Sequence, residues 1–291
     1  MVGEKQLGSR IFRWGNYLLL VVIALTMVLP FIHVIAASFT TSAELADKRF
    51  VLFPTVFSLD AYKYIFSTNT IFKALFVSIG VTLVGTLWSM FISLLTAYGL
   101  SRRDLVGRRQ ILFLFVFTML FSGGMIPTFL IVKETGLLDS YAALIVPVTI
   151  NVFNMIILRS FIMGLPEGLI ESAKIDGCND FGVLFRIVMP ISKPALATVS
   201  LFYAVAYWNT YMHAILYIND AAKWPIQVLL RQIVVLASGL SYDSSEFTNI
   251  PPPDITIKMA VIVVATIPVL MVYPFLQKYF TKGAMLGSMK E

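Results

Sequence analysis

Apolar residues fill six long stretches of the chain, and polar residues collect in the segments between them. A helix of about 20 apolar residues is long enough to cross the hydrocarbon core of a bilayer. We therefore predict six transmembrane helices, at 16–38, 72–98, 110–132, 141–163, 196–218 and 257–277. The first follows Arg10 and Arg13 as a signal peptide would, but its apolar run is too long for a cleaved segment. We interpret it as a retained span, and the whole pattern predicts an all-α membrane protein.

Lysine and arginine are distributed unevenly among the connecting segments. They precede the first span, crowd the 99–109 segment, flank or lie within the 164–195 segment and recur in the C-terminal tail. The other connecting segments hold fewer of them and mostly balance them with acids. Because cytoplasmic segments of membrane proteins carry an excess of Lys and Arg, we expect both termini and these two segments in the cytoplasm.

The composition agrees with a membrane protein. Of the 291 residues, 58% are hydrophobic and only 13% are charged. A net charge of +6 would suggest nucleic acid as a partner of a soluble protein. Here the positive-inside rule explains the charge, and no nucleic-acid partner is expected. The single cysteine, Cys178, excludes an internal disulfide framework.

Three shorter patterns lie between or within the spans. Apolar residues at helical spacing over 226–233, with polar residues opposite, predict a helix at the membrane interface or docked on the bundle. Three prolines at 251–253 predict an extended stretch before the last span. The small residues at 122–124 lie inside the third predicted span, where we expect them to allow close helix packing.

The predicted spans lack the residues that chemistry or ion coupling would need. None contains Asp or Glu, the usual carriers of proton coupling at membrane depth. The only histidines, His33 and His213, have no neighbour at metal-ligand spacing, so no metal site is expected. No nucleophile motif and no phosphate-binding glycine loop is present. We predict that the chain is not an enzyme, holds no cofactor and takes energy from a partner.

The 164–195 segment predicts two short helices joined by a sharp turn. Pro166 suits the first turn of a helix, and Gly177 suits the left-handed position that ends one. Asn179 or Asp180 can cap a second helix, which we expect to end near Pro190. Both helices would lie below the membrane, outside the predicted spans.

The first of these short helices carries an apolar stripe. Leu169, Ile170 and Ala173 share one face, and Glu171 lies beside them. An amphipathic helix of this kind is typical of a segment that docks into a groove of another protein. We therefore expect this stripe to face a partner subunit.

The segment resembles the coupling loop of ABC importer permeases, known as the EAA loop. The family pattern reads Glu-Ala-Ala, then Asp-Gly-Ala, then Leu-Pro, and the residues that match it are Glu171, Ala173, Asp176, Gly177 and Pro190. The departures are Ser172 and Cys178 in place of alanine and Met189 in place of leucine. The resemblance implies that contact with an ATPase subunit is made by Glu171, Ser172, Ala173, Asp176, Gly177 and Pro190.

The resemblance covers essentially the whole chain. The coupling loop precedes the fifth span, and the tail 282–290 is similar to that of the maltose-importer branch, which takes up carbohydrates. The segments 121–127 and 151–154 look like a subgroup associated with complex, often acidic oligosaccharides, such as uronate or alginate oligomers. The resemblance thus implies import of a sugar, with an oligosaccharide as the expected cargo.

The family implies a multi-subunit machine in the bacterial cytoplasmic membrane. Its other parts would be a second homologous permease, two ATPase subunits that hold ATP and Mg²⁺, and an extracytoplasmic binding protein. ATP hydrolysis on the partners would drive alternating access. Glu171 would anchor the loop, Gly177 would permit its turn, and Pro190 would fix the exit of the second helix. The tail after Lys282 would reach the ATPase interface, unless it is only a frayed terminus.

Aromatic and amide side chains in the fourth and fifth spans are candidates for a sugar pathway. Sugars stack on aromatic rings while amides and hydroxyls bond to their hydroxyl groups. The candidates are Asn151, Asn154, Tyr203, Tyr207, Trp208, Asn209 and Tyr211. The alternative is that this stripe packs against neighbouring helices.

Two other functions are alternatives to an importer permease. A secondary solute transporter would need intramembrane acids or a sodium site at broken helices. An intramembrane enzyme would need a nucleophile within reach of a base. Uptake by the purified chain alone would favour the first, and activity without an ATPase partner would favour the second.

Overall fold

The computed structural model of the chain describes residues 7–48, 50–67, 69–237 and 254–288. Every regular element in these ranges is helical, which confirms the predicted all-α class. The α-helices are α1 (Leu7–Ser38), α2 (Ser42–Asp47), α3 (Asp60–Ser67), α4 (Asn69–Ser101), α5 (Arg108–Leu120), α6 (Met125–Glu134), α7 (Ala142–Ile145), α8 (Val152–Met163), α9 (Glu167–Ile175), α10 (Asp180–Val183), α11 (Met189–Ile191), α12 (Lys193–Trp208), α13 (Met212–Tyr217), α14 (Ile226–Ala237) and α15 (Ile255–Ser288). A π turn, Leu184–Val188, joins α10 to α11, and 3-10 turns cover Val146–Val148 and Ala221–Lys223.

Within the described ranges, three helices are long and apolar enough to cross a bilayer without a break. Their membrane-length segments are Phe12–Ser38, Asn69–Ser101 and Ile255–Val272. Three further spans are possible only if bent helix pairs count as one each. The bends measure 116° between α5 and α6, 53° between α7 with its 3-10 turn and α8, and 85° between the α10–α11 run and α12. The first, second and sixth predicted segments each fall on one unbroken helix, and the third and fourth fall on the first two bent pairs. The third bent pair begins at Asp180, within the predicted coupling loop, and so does not match the fifth predicted segment.

The break between α5 and α6 corrects the prediction for residues 122–124. We expected these small residues to allow close packing within a continuous helix, but α5 ends before them and α6 begins after them. Gly124 adopts φ 89°, a backbone conformation that favours glycine over residues with a Cβ atom. No atom lies within 4 Å of the position that a Cβ at Gly124 would take, so close packing is not its role.

The fifth predicted span, 196–218, is also interrupted. Helix α12 ends at Trp208, and α13 begins four positions later at Met212. The predicted amphipathic helix after it is confirmed as α14. The extended stretch predicted at 251–253 lies outside the described residues, as do the side chains of the tail after Lys282.

The chain divides into two compact units, each described here by itself. One comprises Met1–Asn69 with Leu230–Ile267, and its small buried core contains Ala36, Ala37, Leu45 and Val51. The other comprises Thr70–Leu229 with Pro268–Glu291. Its buried cluster includes residues from α4, α8, α9, α10 and α12, so the predicted coupling loop packs on the same core as three apolar helices.

Candidate functional site

The first helix of the predicted coupling loop ends in a defined hydrogen-bonded turn. Pro166 occupies the N-cap position of α9, where a missing N–H costs nothing. At the other end Gly177 has φ 82°, and its N–H donates to Lys174 O at 3.0 Å. The N–H of Cys178 donates to Ala173 O at 2.9 Å. This pair of bonds is the Schellman arrangement, which needs a left-handed residue such as glycine at the first position past the cap.

The second helix begins and ends as predicted. Asn179 is its N-cap, and Asn179 Oδ1 accepts a hydrogen bond from Gly182 N at 2.8 Å. The helical run ends at Ile191, one residue after Pro190, before the bend into α12. Proline has no N–H to donate, so regular α-helical bonding cannot pass through Pro190. The π turn at Leu184–Val188 lies directly before this position, where the bonding pattern has to change.

Most of the predicted coupling residues lie on the surface of this helical hairpin. Glu171, Ser172, Asp176 and Pro190 are exposed, whereas Ala173 is 6% exposed and belongs to the core. Glu171 makes no ion pair or side-chain hydrogen bond with any described residue. An exposed carboxylate without a partner in its own chain is available to a basic group of another molecule.

The apolar face of α9 is not the one predicted. Ala173 is buried and Ile170 packs against the core, so two of the three stripe residues face inward. On α9 the exposed apolar side chains are Leu169 at 42% and Ile175 at 86%, and past the turn Phe181 is 65% exposed. Sequence reasoning missed Ile175 and Phe181 because they flank the turn, where helical periodicity gives no signal.

Ion pairs join the coupling loop to the segment between α4 and α5. Arg102 Nε and Asp104 Oδ1 are 3.2 Å apart, and Arg102 Nη1 lies 3.8 Å from Asp180 Oδ1. Lys174 Nζ lies 3.2 Å from the same Asp180 oxygen. The Arg102 side chain is 21% exposed, while the two aspartates are largely exposed. Hydrogen bonding to Arg102 lowers the pKa of the Asp104 carboxyl.

A further ion pair joins the same two regions, and a helix-end contact joins α8 to α4. Arg103 Nη2 lies 2.9 Å from Glu167 Oε1, with both side chains exposed. Arg159 of α8 donates from Nε to Leu100 O at 2.9 Å, which satisfies a carbonyl at the end of α4. The sequence indicated only a topological role for the arginines of the 99–109 segment. The structure adds that Arg102 and Arg103 form ion pairs with residues of the coupling loop.

A groove of about 440 Å³ opens beside the break between α7 and α8. Its lining residues are Val148, Asn151, Phe153, Asn154, Phe202, Tyr203, Ala206, Tyr207, Thr210 and His213. Four of the predicted pathway residues, Asn151, Asn154, Tyr203 and Tyr207, are among them. The other three, Trp208, Asn209 and Tyr211, do not line the groove. Asn209 is exposed, and its Nδ2 donates to Val205 O of its own helix at 2.8 Å.

The two groove tyrosines have structural partners. Asn151 N donates to Tyr203 Oη at 2.9 Å, which leaves the Tyr203 hydroxyl hydrogen for Ser93 Oγ at 2.7 Å. Tyr207 Oη lies 2.7 Å from Ser89 Oγ, and its ring would lie 2.8 Å from a Cβ at position 85, where the chain has glycine. These contacts favour the packing alternative, because they satisfy polar groups at a helix break inside an apolar fold.

Asn154 and Phe153 have a different environment. The Asn154 side chain lines the groove, is 5% exposed, and makes no hydrogen bond with a described residue. Phe153 is 58% exposed on the groove wall. The Asn154 amide therefore opens onto the groove, where a ligand, water or another chain can bond to it. The sequence pointed to Asn154, whereas Phe153, Phe202, Thr210 and His213 had no periodic signal to distinguish them from lipid-facing residues.

The groove carries no Lys or Arg among its lining residues. Across the described part of the chain, no group of three or more His, Cys, Asp or Glu side chains could hold a metal ion. The groove is therefore suited to aromatic stacking and neutral hydrogen bonds rather than to pairing with an anion.

Comparison with known proteins places these features in a family. Residues 107–285 match the family described as "Binding-protein-dependent transport system inner membrane component". A relative from Bacillus subtilis (strain 168), the polygalacturonan/rhamnogalacturonan transport system permease protein YtcP, is 66% identical over 97% of this chain and 99% of its own length. The arabinooligosaccharides transport system permease protein AraQ of the same strain is 30% identical over 96% of each chain.

A solved structure is similar along nearly the whole chain. It is a crystal structure of a bacterial ABC transporter involved in the import of the acidic polysaccharide alginate. The matched chain is 32% identical, with a TM-score of 0.88 over 96% of this chain and 100% of that one. The extent of these matches confirms the expected family of multi-pass membrane permeases. The chain belongs to the binding-protein-dependent transport system inner membrane components.

Proposed function

We propose that the chain is one of two permease subunits of an ATP-driven oligosaccharide importer in the bacterial cytoplasmic membrane. Its partners are a second homologous permease, two ATPase subunits carrying ATP and Mg²⁺, and an extracytoplasmic binding protein. The chain itself provides the membrane pathway and no catalytic site. The 66% identity to a transport permease, spanning 97% of the chain, carries this proposal.

The loop 164–195 transmits ATPase movement to the permease. Its two helices are joined by a turn that Gly177 and Asn179 fix through backbone bonds, so the hairpin moves as a stiff element. Glu171 meets a basic residue of the ATPase, and Ile175 and Phe181 contribute exposed apolar surface beside it. Buried apolar contacts then pass the displacement from Ala173 to the helices of the same core.

The cargo is an acidic oligosaccharide. The relative named for polygalacturonan and rhamnogalacturonan and the structure named for alginate both concern polymers of uronic acids. In the groove, Phe153 offers a face for a sugar ring, and the Asn151 and Asn154 amides offer bonds to its hydroxyl groups. Because the groove lining has no Lys or Arg, other chains or water must bind the carboxylates of the cargo.

Two asparagine variants test which residues contact the sugar. Asn154→Ala removes a groove amide, and we expect reduced uptake with normal assembly. Asn209→Ala removes an exposed amide outside the groove, and we expect uptake close to that of the wild type. The reverse ranking would move the pathway to the face of Trp208, Asn209 and Tyr211. Tyr203 and Tyr207 are assigned to packing and are unsuitable for this comparison.

The function itself is tested by reconstitution. The complex of both permeases and both ATPase subunits is placed in vesicles with ATP inside and with binding protein and galacturonate oligomers outside. We expect uptake that requires ATP and stimulation of ATPase by the loaded binding protein. Uptake by this chain alone, driven by an ion gradient, would establish a secondary transporter and overturn the proposal.

A further inference from the structure

The segment that follows α1 folds back along the end of that helix. Val51 N donates to His33 Nδ1 at 3.1 Å, and the rings of His33 and Phe50 stack with centroids 4.6 Å apart. Val51 is 3% exposed and packs with Ala36 and Ala37 of α1. The chain therefore leaves α1 at Ser38 and returns to the level of His33, about 7 Å back along the helix axis at 1.5 Å per residue.

The length of α1 indicates how deep His33 would lie in a bilayer. The membrane-length part of α1, Phe12–Ser38, has 27 residues and is about 40 Å long. A bilayer has a hydrocarbon core of about 30 Å and measures about 40–45 Å with its headgroup regions. If this span is centred in the bilayer, the last turns of α1, and with them Phe50 and Val51, reach the boundary between hydrocarbon and headgroups.

The returning segment displays apolar side chains outward. Within residues 50–57 the exposed ones are Phe53 at 84%, Phe57 at 65%, Phe50 and Val56 at 55% each, and Leu52 at 38%. A rigid segment with so many exposed apolar groups is unfavourable in water, because that surface gains nothing from folding. The layer at a membrane surface accommodates such groups, with rings among the acyl chains and backbone near the headgroups.

A buried carboxylate keeps this segment rigid. Glu44 of α2 is 7% exposed, and its oxygens accept hydrogen bonds from Thr55 N at 3.0 Å and from Val56 N at 3.0 Å. The hydroxyls of Thr40 and Thr55 donate to the same carboxylate. The apolar side chains around residues 55–56 therefore stand on a fixed backbone and cannot collapse inward.

We propose that residues 50–57 are an interfacial anchor, with Phe50, Phe53 and Phe57 inserted at the boundary between lipid headgroups and acyl chains. The occupant of this surface is the bilayer itself, since the patch adjoins the end of an apolar helix that is long enough to span a membrane. The anchor fixes the depth and tilt of α1 in the membrane. It is independent of the cargo and of the coupling loop.

Site-directed spin labelling measures what covers the patch. In a Cys178→Ser background, Phe53→Cys carries a nitroxide in the assembled complex, reconstituted in vesicles of phosphatidylethanolamine and phosphatidylglycerol. Collision with oxygen reports lipid, and collision with a water-soluble nickel chelate reports water. Two reference labels calibrate the scale: Leu19→Cys on the exposed face of α1 for lipid, and Lys63→Cys, 75% exposed on α3, for water.

The anchor predicts high oxygen and low nickel accessibility at position 53, closer to position 19 than to position 63. High nickel accessibility would place the patch in water and overturn the proposal. Low accessibility to both reagents would show a protein partner on the patch and would equally overturn it. Val56→Cys repeats the measurement, because the Val56 backbone bond to Glu44 does not depend on the side chain.

Discussion

Two glutamates on short helices show opposite uses of the same side chain. Glu44 of α2 is buried, and hydrogen bonds from Thr40, Thr55 and Val56 surround its carboxylate. Glu171 of α9 is exposed and has no partner among the described residues. The first carboxylate stabilises its own fold, whereas the second remains available to another molecule. A buried carboxylate bonded within its own chain stabilises the fold, whereas an exposed one is solvated unless another molecule binds it, which is the role we propose for Glu171.

The surroundings of Glu44 also change its acidity. The hydrogen bond from Thr40, followed by those from Thr55 and Val56, holds the pKa of the Glu44 carboxyl far below its usual range. A lowered folded-state pKa means stability that is present above the unfolded pKa, about 4.3, and is lost as the pH falls below it. The loop around Glu44 should therefore keep its fold throughout the neutral and mildly acidic range.

Replacing Glu44 should give the largest effect. In Glu44→Gln one oxygen becomes an amide that cannot accept, so it faces the backbone N–H groups of Thr55 or Val56 without a bond. We expect little monodisperse protein in detergent and rapid trypsin cleavage after Lys48. Asp60→Asn is the control, because Asp60 is exposed and pairs only with nearby groups. Equal yields of the two variants would mean that the Glu44 carboxylate is not needed for folding.

A substitution in the turn at Gly177 should abolish transport but leave the membrane fold intact. Gly177 has φ 82°, so Gly177→Val places a β-branched side chain in a strained conformation. Gly168→Val is the control, since Gly168 lies within α9 and has open space around it. We expect membrane insertion of both variants and uptake only by Gly168→Val. Normal ATP-driven uptake by Gly177→Val would show that the turn geometry is dispensable.

Removing the Tyr203 hydroxyl should cost stability at a helix break. Tyr203→Phe leaves Asn151 N and Ser93 Oγ without their partner, which costs about 1–3 kcal/mol for buried groups. Tyr211→Phe is the matched control, because the Tyr211 hydroxyl makes no hydrogen bond with a described residue. Thermal unfolding should distinguish the two variants. A stable Tyr203→Phe with impaired sugar uptake would return Tyr203 to the pathway.

The smallest effect concerns the arginines beside the coupling loop. Arg102→Gln removes ion pairs with Asp104 and Asp180, and partly exposed pairs contribute only about 0–1 kcal/mol. Arg109→Gln removes the same charge from an exposed side chain that has no ion pair with a described residue. We expect a slightly lower ratio of sugar-stimulated to basal ATPase for Arg102→Gln alone. Equal ratios would limit these arginines to a topological role.

The sequence predicted local structure where one residue type is required. Pro166, Gly177 and Asn179 each have a conformational or capping role that few other residues fill, and the structure places them accordingly. The sequence did not predict side-chain packing, because packing depends on neighbouring helices. Whether Ala173 faces inward, or Tyr207 packs against Gly85, depends on helices distant in the sequence. A long apolar segment can also contain a helix break that its composition does not reveal. Residues 122–124 interrupt the helix within such a segment.

The coupling role of Glu171 is tested most directly by reversing its charge. Glu171→Lys faces a basic ATPase residue with a like charge, while Glu167→Lys on the same helix disturbs only an exposed pair with Arg103. The measurement is co-purification of the ATPase subunit together with its sugar-stimulated activity. We predict that Glu171→Lys loses the ATPase subunit, or keeps it with sugar-independent hydrolysis, and that Glu167→Lys retains both properties. Normal complex formation and normal sugar stimulation in Glu171→Lys would contradict coupling through this loop.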